Sequence, residues 1–171
     1  MSTIESQIEI VKALVSSIRE RTGSLSPEQL ALPSACSEWQ VQDVVGHLIG
    51  GAQRQIDSMT RGRAGDSGPP EGFVPADSAT ASANNARGDV QRRKSFGDGL
   101  LEAFDDHYAR LYEVLDSFNP DGWDTLCWHM RRGAMPAWEY IELRLQELAI
   151  HDWDMRKALE PSPSLLSLIH I

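Results

Sequence analysis

The sequence contains no apolar run of the about 18 residues that a membrane-crossing helix requires. Its N-terminus lacks a basic segment followed by an apolar one, so no secretory leader is expected. Cysteine is scarce. Cys36 and Cys127 are too far apart for a paired metal or redox motif, and without an export signal they are expected as reduced thiols. Positive charge is also short: 16 Lys and Arg stand against 25 Asp and Glu, a formal net charge of -9. A surface of that sign repels the phosphates of nucleic acid and anionic lipid, so no nucleic acid and no membrane are expected as partners. The one basic run, Arg92-Arg93-Lys94, reads as a solvated helix face.

What is present suits one globular domain: 171 residues, 41% hydrophobic and 24% charged. Ile4, Ile8, Val11, Leu14, Val15 and Ile18 recur at helical spacing and predict a first helix ending near Thr22-Gly23. Ser26-Pro27-Glu28 begins a short turn. A second helix is expected from about Trp39 to Arg61, with Ser37 as N-cap and Gln40 completing a capping box. Seven glycines and prolines between Gly62 and Pro75 predict a loop over 62–82. A third helix, 84–118, is weakened at Gly97 and Gly99 and closed by Asn119-Pro120-Asp121-Gly122. Residues 123–135 read as irregular, and a fourth helix runs from about Pro136 to Leu159. No convincing strand alternation occurs. The economical architecture is all-α: a four-helix bundle over residues 1–160 with a long loop between helices 2 and 3. Residues 161–171 form an irregular tail whose unpatterned apolar residues suggest a truncated or foreign ending, and His170 receives no role.

Chemistry concentrates on the fourth helix, in Arg144, Glu147, His151 and Asp154. Residues four apart differ by about 40° around a helix and about 6 Å along it, so Glu147 and His151 project from one face. That spacing suits two ligands of one ion, and it equally suits an ion-paired, partly exposed flank. On the second helix His47 lies about 140° from the centre of the apolar stripe, which by periodicity favours solvent. Gly46, Gly50 and Gly51 leave room beside it for another helix or a ligand. His107, on the flank of the third helix, is a candidate general base or fourth ligand, although a hydrogen-bonded packing histidine is the stronger reading. His129 is a candidate for the mouth of a pocket, without a spacing argument behind it.

The segment Trp39-x-Val41-x-Asp43-x-x-x-His47-Leu48 resembles the first signature of the mycothiol-dependent maleylpyruvate isomerase family, one of the wider DinB-like metal-binding bundles. Arg144-x-x-Glu147-x-x-x-His151-x-x-Asp154 resembles its second signature, and Gly133-x-Met135-Pro136 its entry into the last helix. The similarity spans residues 4–160. It implies a divalent metal, usually zinc, on His47, Glu147 and His151.

Two histidines and a carboxylate are the donor set of a zinc that keeps a coordination position open. A closed structural site prefers four protein ligands, often cysteine, and Cys36 reads instead as packing near the start of the second helix. An open zinc lowers the pKa of a bound water or thiol. The resemblance favours a thiol: mycothiol as cosubstrate, an electrophilic small molecule as substrate, and thiol transfer or thiol-assisted isomerisation in an actinobacterial cytoplasm. Asp43 and Asp154 are candidates to orient the imidazoles as hydrogen-bond acceptors, with a plain surface or capping role slightly favoured for Asp43. Arg144 is read either as a clamp for a substrate carboxylate or as the partner of a nearby acid. Two alternatives stay open: a non-catalytic metal-binding module serving stress response or sequestration, and a structural bundle held by salt bridges. A homodimer is the default assembly.

Overall fold

The computed structural model describes residues 3–36 and 39–165. The first helix, α1 (Ile4–Gly23), is capped by Thr3, whose side chain accepts from the Ser6 N–H. A single turn, α2 (Pro27–Leu30), follows with a complete Ser26/Gln29 capping box. The second long helix, α3, is Val41–Arg63. Its entry differs from expectation: Gln40 is the N-cap and its N–H donates to Asp43 Oδ2 at 3.0 Å. The capping position expected at Ser37 lies outside the described residues, as does His170 in the tail.

The expected loop is shorter than 62–82, because α4 begins at Ser78, where Asp77 accepts from the Ala79 and Thr80 N–H groups at 3.0 Å. Arg61 pairs with Asp66 at its start, and Phe73 lies edge-on to Trp128, centroids 4.6 Å apart. The expected third helix is two helices. α4 (Ser78–Phe96) and α5 (Leu100–Asp116) are separated by a 3-10 turn at Gly97–Gly99. Gly97 has φ +52°, a conformation that favours glycine and ends α4 there.

Residues 126–136 correct the expectation of an irregular stretch. They form an antiparallel hairpin, β1 (Leu126–His129) with β2 (Gly133–Pro136), in which Cys127 pairs with Met135. Gly133, at φ +74°, makes the turn possible. Four residues per strand are too few to display a period-two pattern. The hairpin rests on α3: Ser58 Oγ donates to Trp128 O at 2.6 Å, and a Cβ on Gly62 would lie 2.6 Å from Leu126 O. The last helix, α6, runs Ala137–Arg156, with Pro136 as its N-cap.

The molecule is a four-helix bundle of α1, α3, α4–α5 and α6. α3 is its central element, packed on α4, α5 and α6, while α1 closes the far side against α5 and α6. Val11, Ile18, Val45, Leu48, Ile49, Phe104, Leu111, Ile141 and Leu148 fill the interior. Among the described residues no helix is long and apolar enough to cross a membrane.

The two glycines of the α4–α5 junction should respond oppositely to substitution. Neither has an atom within 4 Å of an added Cβ, so backbone conformation alone decides. Gly97→Ala should cost about 1–3 kcal/mol of unfolding free energy. Gly99, at φ -81°, already holds a conformation open to alanine, and Gly99→Ala should be neutral or gain about 0.4–1 kcal/mol. Denaturant melts of the two variants measure both.

Candidate metal centre

Three side chains meet where α3 faces α6. Glu147 and His151, one turn apart on α6, project toward His47 of α3. His47 Nε2 lies 3.1 Å from Glu147 Oε2, and His151 Nε2 lies 3.6 Å from the same oxygen. The two imidazoles approach at 4.7 Å, edge to face. One donor atom from each residue falls within 4.8 Å of the others, a grouping that could hold a metal ion. Both histidine side chains are about 15% exposed, and Glu147, at 47%, opens toward solvent.

The outer ring nitrogens are held as well. His47 Nδ1 lies 2.7 Å from Asp89 Oδ2, and His151 Nδ1 lies 2.9 Å from Asp154 Oδ2. Asp154 therefore lies against the outer nitrogen of His151. Asp43, a candidate for the same role at His47, pairs instead with Arg93 at 2.8 Å and caps α3. The carboxylate on His47 is Asp89 of α4, which also faces Arg54 and Arg92. α4 comes this close because α3 is bare at Gly46, where a Cβ would stand 2.8 Å from Arg93 Cβ and 3.2 Å from Asp89 O. Trp39 lies against both imidazoles, 5.0 Å from His47 and 6.3 Å from His151 between centroids.

Burial works to raise the Glu147 carboxyl, but hydrogen bonds from His151 and His47 outweigh it and hold the group well below the usual carboxylate range. Burial works to lower His151. The hydrogen bonds to Asp154, Cys36 and Glu147 prevail and push it up to about 11. Asp89 and Asp154 are held low in the same way, against burial, by His47 and His151 respectively. A proton on His151 thus neutralises the acids around it, and a cation bound there would have to compete with it.

The cluster opens into a cavity of about 1150 Å³, also lined by Trp39, Arg54, Trp128, His129, Tyr140 and Arg144. His129 thus lines the pocket. Burial, with Arg132 beside it, lowers its pKa and keeps it neutral. Arg144 is 5% exposed and donates from Nε to Gln55 Oε1 at 2.9 Å. Its Nη1 is buried beside the Tyr108 hydroxyl, the polar group it faces in the interior, and Arg144 makes no ion pair among the described residues. It reaches this place because Gly51 is bare: a Cβ there would meet Nη1 at 2.7 Å. His107 lies away from the cavity. Its Nδ1 donates to Ala103 O at 2.7 Å and its ring packs on Phe96.

Three participants were missed by sequence reasoning. Asp89 is 42 residues from its histidine, with no spacing to connect them. Gln55 is an uncharged residue on the face of α3 read as core. Cys36 is not simple packing, because its Sγ donates to Asp154 Oδ2 at 3.0 Å and lies 3.8 Å from His151 Nδ1.

Residues 11–156 match the family described as the mycothiol maleylpyruvate isomerase N-terminal domain. Two uncharacterized proteins of Mycobacterium tuberculosis, MT0763 (strain CDC 1551 / Oshkosh) and Rv0738 (strain H37Rv), are each 26% identical over 138 residues. The matched region covers 81% of this chain and 59% of theirs. The crystal structure of the mycothiol-dependent maleylpyruvate isomerase superposes with a TM-score of 0.71 at 17% identity, over 90% of this chain and 60% of that one. The chain thus spans about three fifths of the length of these relatives. The colibactin self-resistance protein ClbS, solved in complex with a dsDNA, superposes with a TM-score of 0.69 at 15% identity, over 95% of this chain and 99% of that one. At such identities the likeness is one of fold.

The ClbS complex overturns the exclusion of nucleic acid drawn from charge. A net charge of -9 sums the whole surface, whereas a phosphate backbone meets a local patch. Here Arg61, Arg110, Arg131 and Arg132 border the cavity of an otherwise acidic chain.

The pKa of His151 makes the metal-free protein sensitive to pH. It is raised from 6.5 to about 11 in the folded state, so the stability it contributes is complete below pH 6.5 and is lost as pH rises toward 11. In chelator-treated protein, thermal melts of wild type and His151→Ala should differ most near pH 6, and the difference should shrink steadily as pH rises toward 11. A difference that grows with pH would contradict this.

Proposed function

We propose, for a chain that belongs to the mycothiol maleylpyruvate isomerase N-terminal domain family, that His47, Glu147 and His151 hold a divalent metal ion, zinc by donor chemistry, which activates a small thiol. The thiol is mycothiol by analogy with the isomerase relative, and the substrate is a small electrophile. The observation that carries this reading is the convergence of three donors within 4.8 Å at the wall of a large cavity. Two imidazoles and one carboxylate are a common catalytic zinc set, and both imidazoles have their outer nitrogen on a carboxylate, as ligating histidines do. The residues fit the ion.

A zinc ion bound there supplies Lewis acidity that keeps a thiol ionised at neutral pH. The protein supplies the rest. Asp89 and Asp154 fix the tautomers so that both Nε2 atoms face Glu147. Trp39 covers one side of the imidazoles and keeps water from it. Arg144, at the cavity wall and without a carboxylate partner among the described residues, orients an anionic group of the substrate. The thiol and electrophile then meet between the centre and Arg144.

Elemental analysis of purified protein should give about one zinc per chain, lost in His47→Ala, Glu147→Ala and His151→Ala. Asp89→Asn should lower metal affinity about 10–100-fold while keeping the fold. Full affinity in His47→Ala would show the ligand set to be wrong. Metal binding without turnover across a panel of thiols and electrophiles would leave a metal-binding module that sequesters rather than catalyses.

A second reading is favoured by the arginines at the cavity mouth, together with the fold shared with ClbS. Arg131 faces only the Ser82 hydroxyl, at 3.0 Å, and no carboxylate among the described residues. If this rim meets phosphate, double-stranded DNA should bind with an affinity that falls with salt, and Arg131→Ala should reduce the salt slope by about 1. Absence of binding at low salt would dispose of this reading.

A further inference from the structure

His151 has donors on both sides of its ring. Nε2 faces Glu147 at 3.6 Å. Nδ1 faces a second group: Asp154 Oδ2 at 2.9 Å and Cys36 Sγ at 3.8 Å, with the thiol and the carboxylate 3.0 Å apart. Cys36, His151 and Asp154 thus form a second set of donors within 4.8 Å of one another. Tetrahedral ligands of one ion, with metal–sulfur bonds near 2.3 Å and metal–nitrogen or –oxygen bonds near 2.0 Å, lie about 3.2–3.6 Å apart. For an ion of zinc's size the observed triangle of 2.9, 3.0 and 3.8 Å needs adjustments of about 0.3–0.5 Å, and the longer bonds of cadmium require the carboxylate to part further from the thiol and the ring.

Two further observations favour a cation there. Asp154 is 7% exposed, and its one ion-pair partner among the described residues is His151 itself, with no arginine or lysine beside it. The cysteine is also fixed in place: Ala35 N donates to Asp154 O at 3.1 Å, Ser34 N to Trp39 O at 2.8 Å, and Cys36 N to Ser34 Oγ at 3.2 Å. The backbone therefore holds the thiol against α6 and at the cavity wall.

We propose that Cys36 Sγ, Asp154 Oδ2 and His151 Nδ1 form a second position for a thiophilic cation such as cadmium, mutually exclusive with the first. A neutral imidazole has one lone pair. When Nε2 ligates, Nδ1–H donates to Asp154; when Nδ1 ligates, Nε2–H donates to Glu147. The choice of position is a choice of His151 tautomer. Borderline and harder ions favour the His47–Glu147 side, and soft ions favour the thiolate. On binding, the thiol proton of Cys36 leaves through the cavity to solvent. A soft cation would thereby withdraw His151 from the first position. The inference shares that residue with the proposed function but stands without it.

Chelator-treated protein titrated with Co²⁺ should give a spectrum without thiolate-to-metal charge transfer. Added Cd²⁺ should then release the Co²⁺ and raise the ultraviolet cadmium–thiolate band. In Cys36→Ser the band should vanish and Co²⁺ should stay bound. His47→Ala should lose Co²⁺ and keep the cadmium band, and Cys127→Ser should match wild type. Asp154→Asn should weaken cadmium affinity at least about tenfold, which tests the site independently of any folding defect at Cys36. The proposal falls if bound Cd²⁺ gives no band in wild type, if the band survives Cys36→Ser, or if one chain holds Co²⁺ and Cd²⁺ together. A Cys36-dependent cadmium band in a protein that binds no Co²⁺ would sink the proposed function and leave this site standing.

Discussion

Charge placed beside an apolar seam is the constraint to which the rest of this bundle answers. Where α3 faces α6, Glu147, Asp89 and Asp154 surround two imidazoles, and only Glu147 opens much toward solvent. Isolated carboxylates in such a place would be expensive, so each has a partner of opposite sign. Asp89 is held by His47 together with Arg54 and Arg92, and Asp154 has His151. Each of the three carboxylates thus has a histidine among its partners. Replacing one breaks two contacts, an inner one to Glu147 and an outer one to its own carboxylate.

The backbone makes this arrangement reachable through what it omits. α3 carries Gly46 and Gly50 toward α4 and Gly51 toward α6, and the space where their side chains would stand is taken by α4, with its Arg92 guanidinium, and by that of Arg144. Glycine inside a helix costs about 1 kcal/mol relative to alanine, so three in six residues weaken α3 as an isolated helix. Packing on α4, α5 and α6 offsets that loss. The close approach of α4 is also what brings Asp89 to His47. Helix weakness, tight packing and the orientation of a candidate ligand are consequences of the same residues.

Legibility in the sequence followed the range of each signal. Helices with a one-sided apolar stripe, such as α1, were readable almost to the residue, and the break at Gly97 announced itself through glycine chemistry. The hairpin at 126–136 was not legible because four-residue strands leave no period to detect. His47 shows a deeper limit. A single wheel placed it toward solvent, yet α3 is buried on several sides at once, so distance from one stripe centre says little about exposure. The i,i+4 pair Glu147–His151 could be read because one helix carries both. Asp89 and Cys36 could not, since their pairing with the histidines depends on how separate segments pack, 42 and 115 residues along the chain.

A bundle of this kind constrains chemistry less than its lining does. The apolar interior on the α1 and α5 side would serve many purposes equally well. What narrows the range is the donor cluster of His47, Glu147 and His151 between α3 and α6, where a bound cation would compete with the His151 proton for the same few ångströms. The metal-free protein satisfies its buried acids by keeping His151 protonated. Any ion that enters must displace that proton and take over its electrostatic role. Binding is therefore linked to pH by the same contacts that hold the helices together. Arg144 extends the logic across the cavity wall: a buried guanidinium beside neutral Gln55 has a charge that the described residues do not balance with a carboxylate. A donor cluster that could hold a cation and a guanidinium with no carboxylate partner among the described residues line one cavity, and together they would suit a ligand with two ends, one that donates electrons and one that carries negative charge.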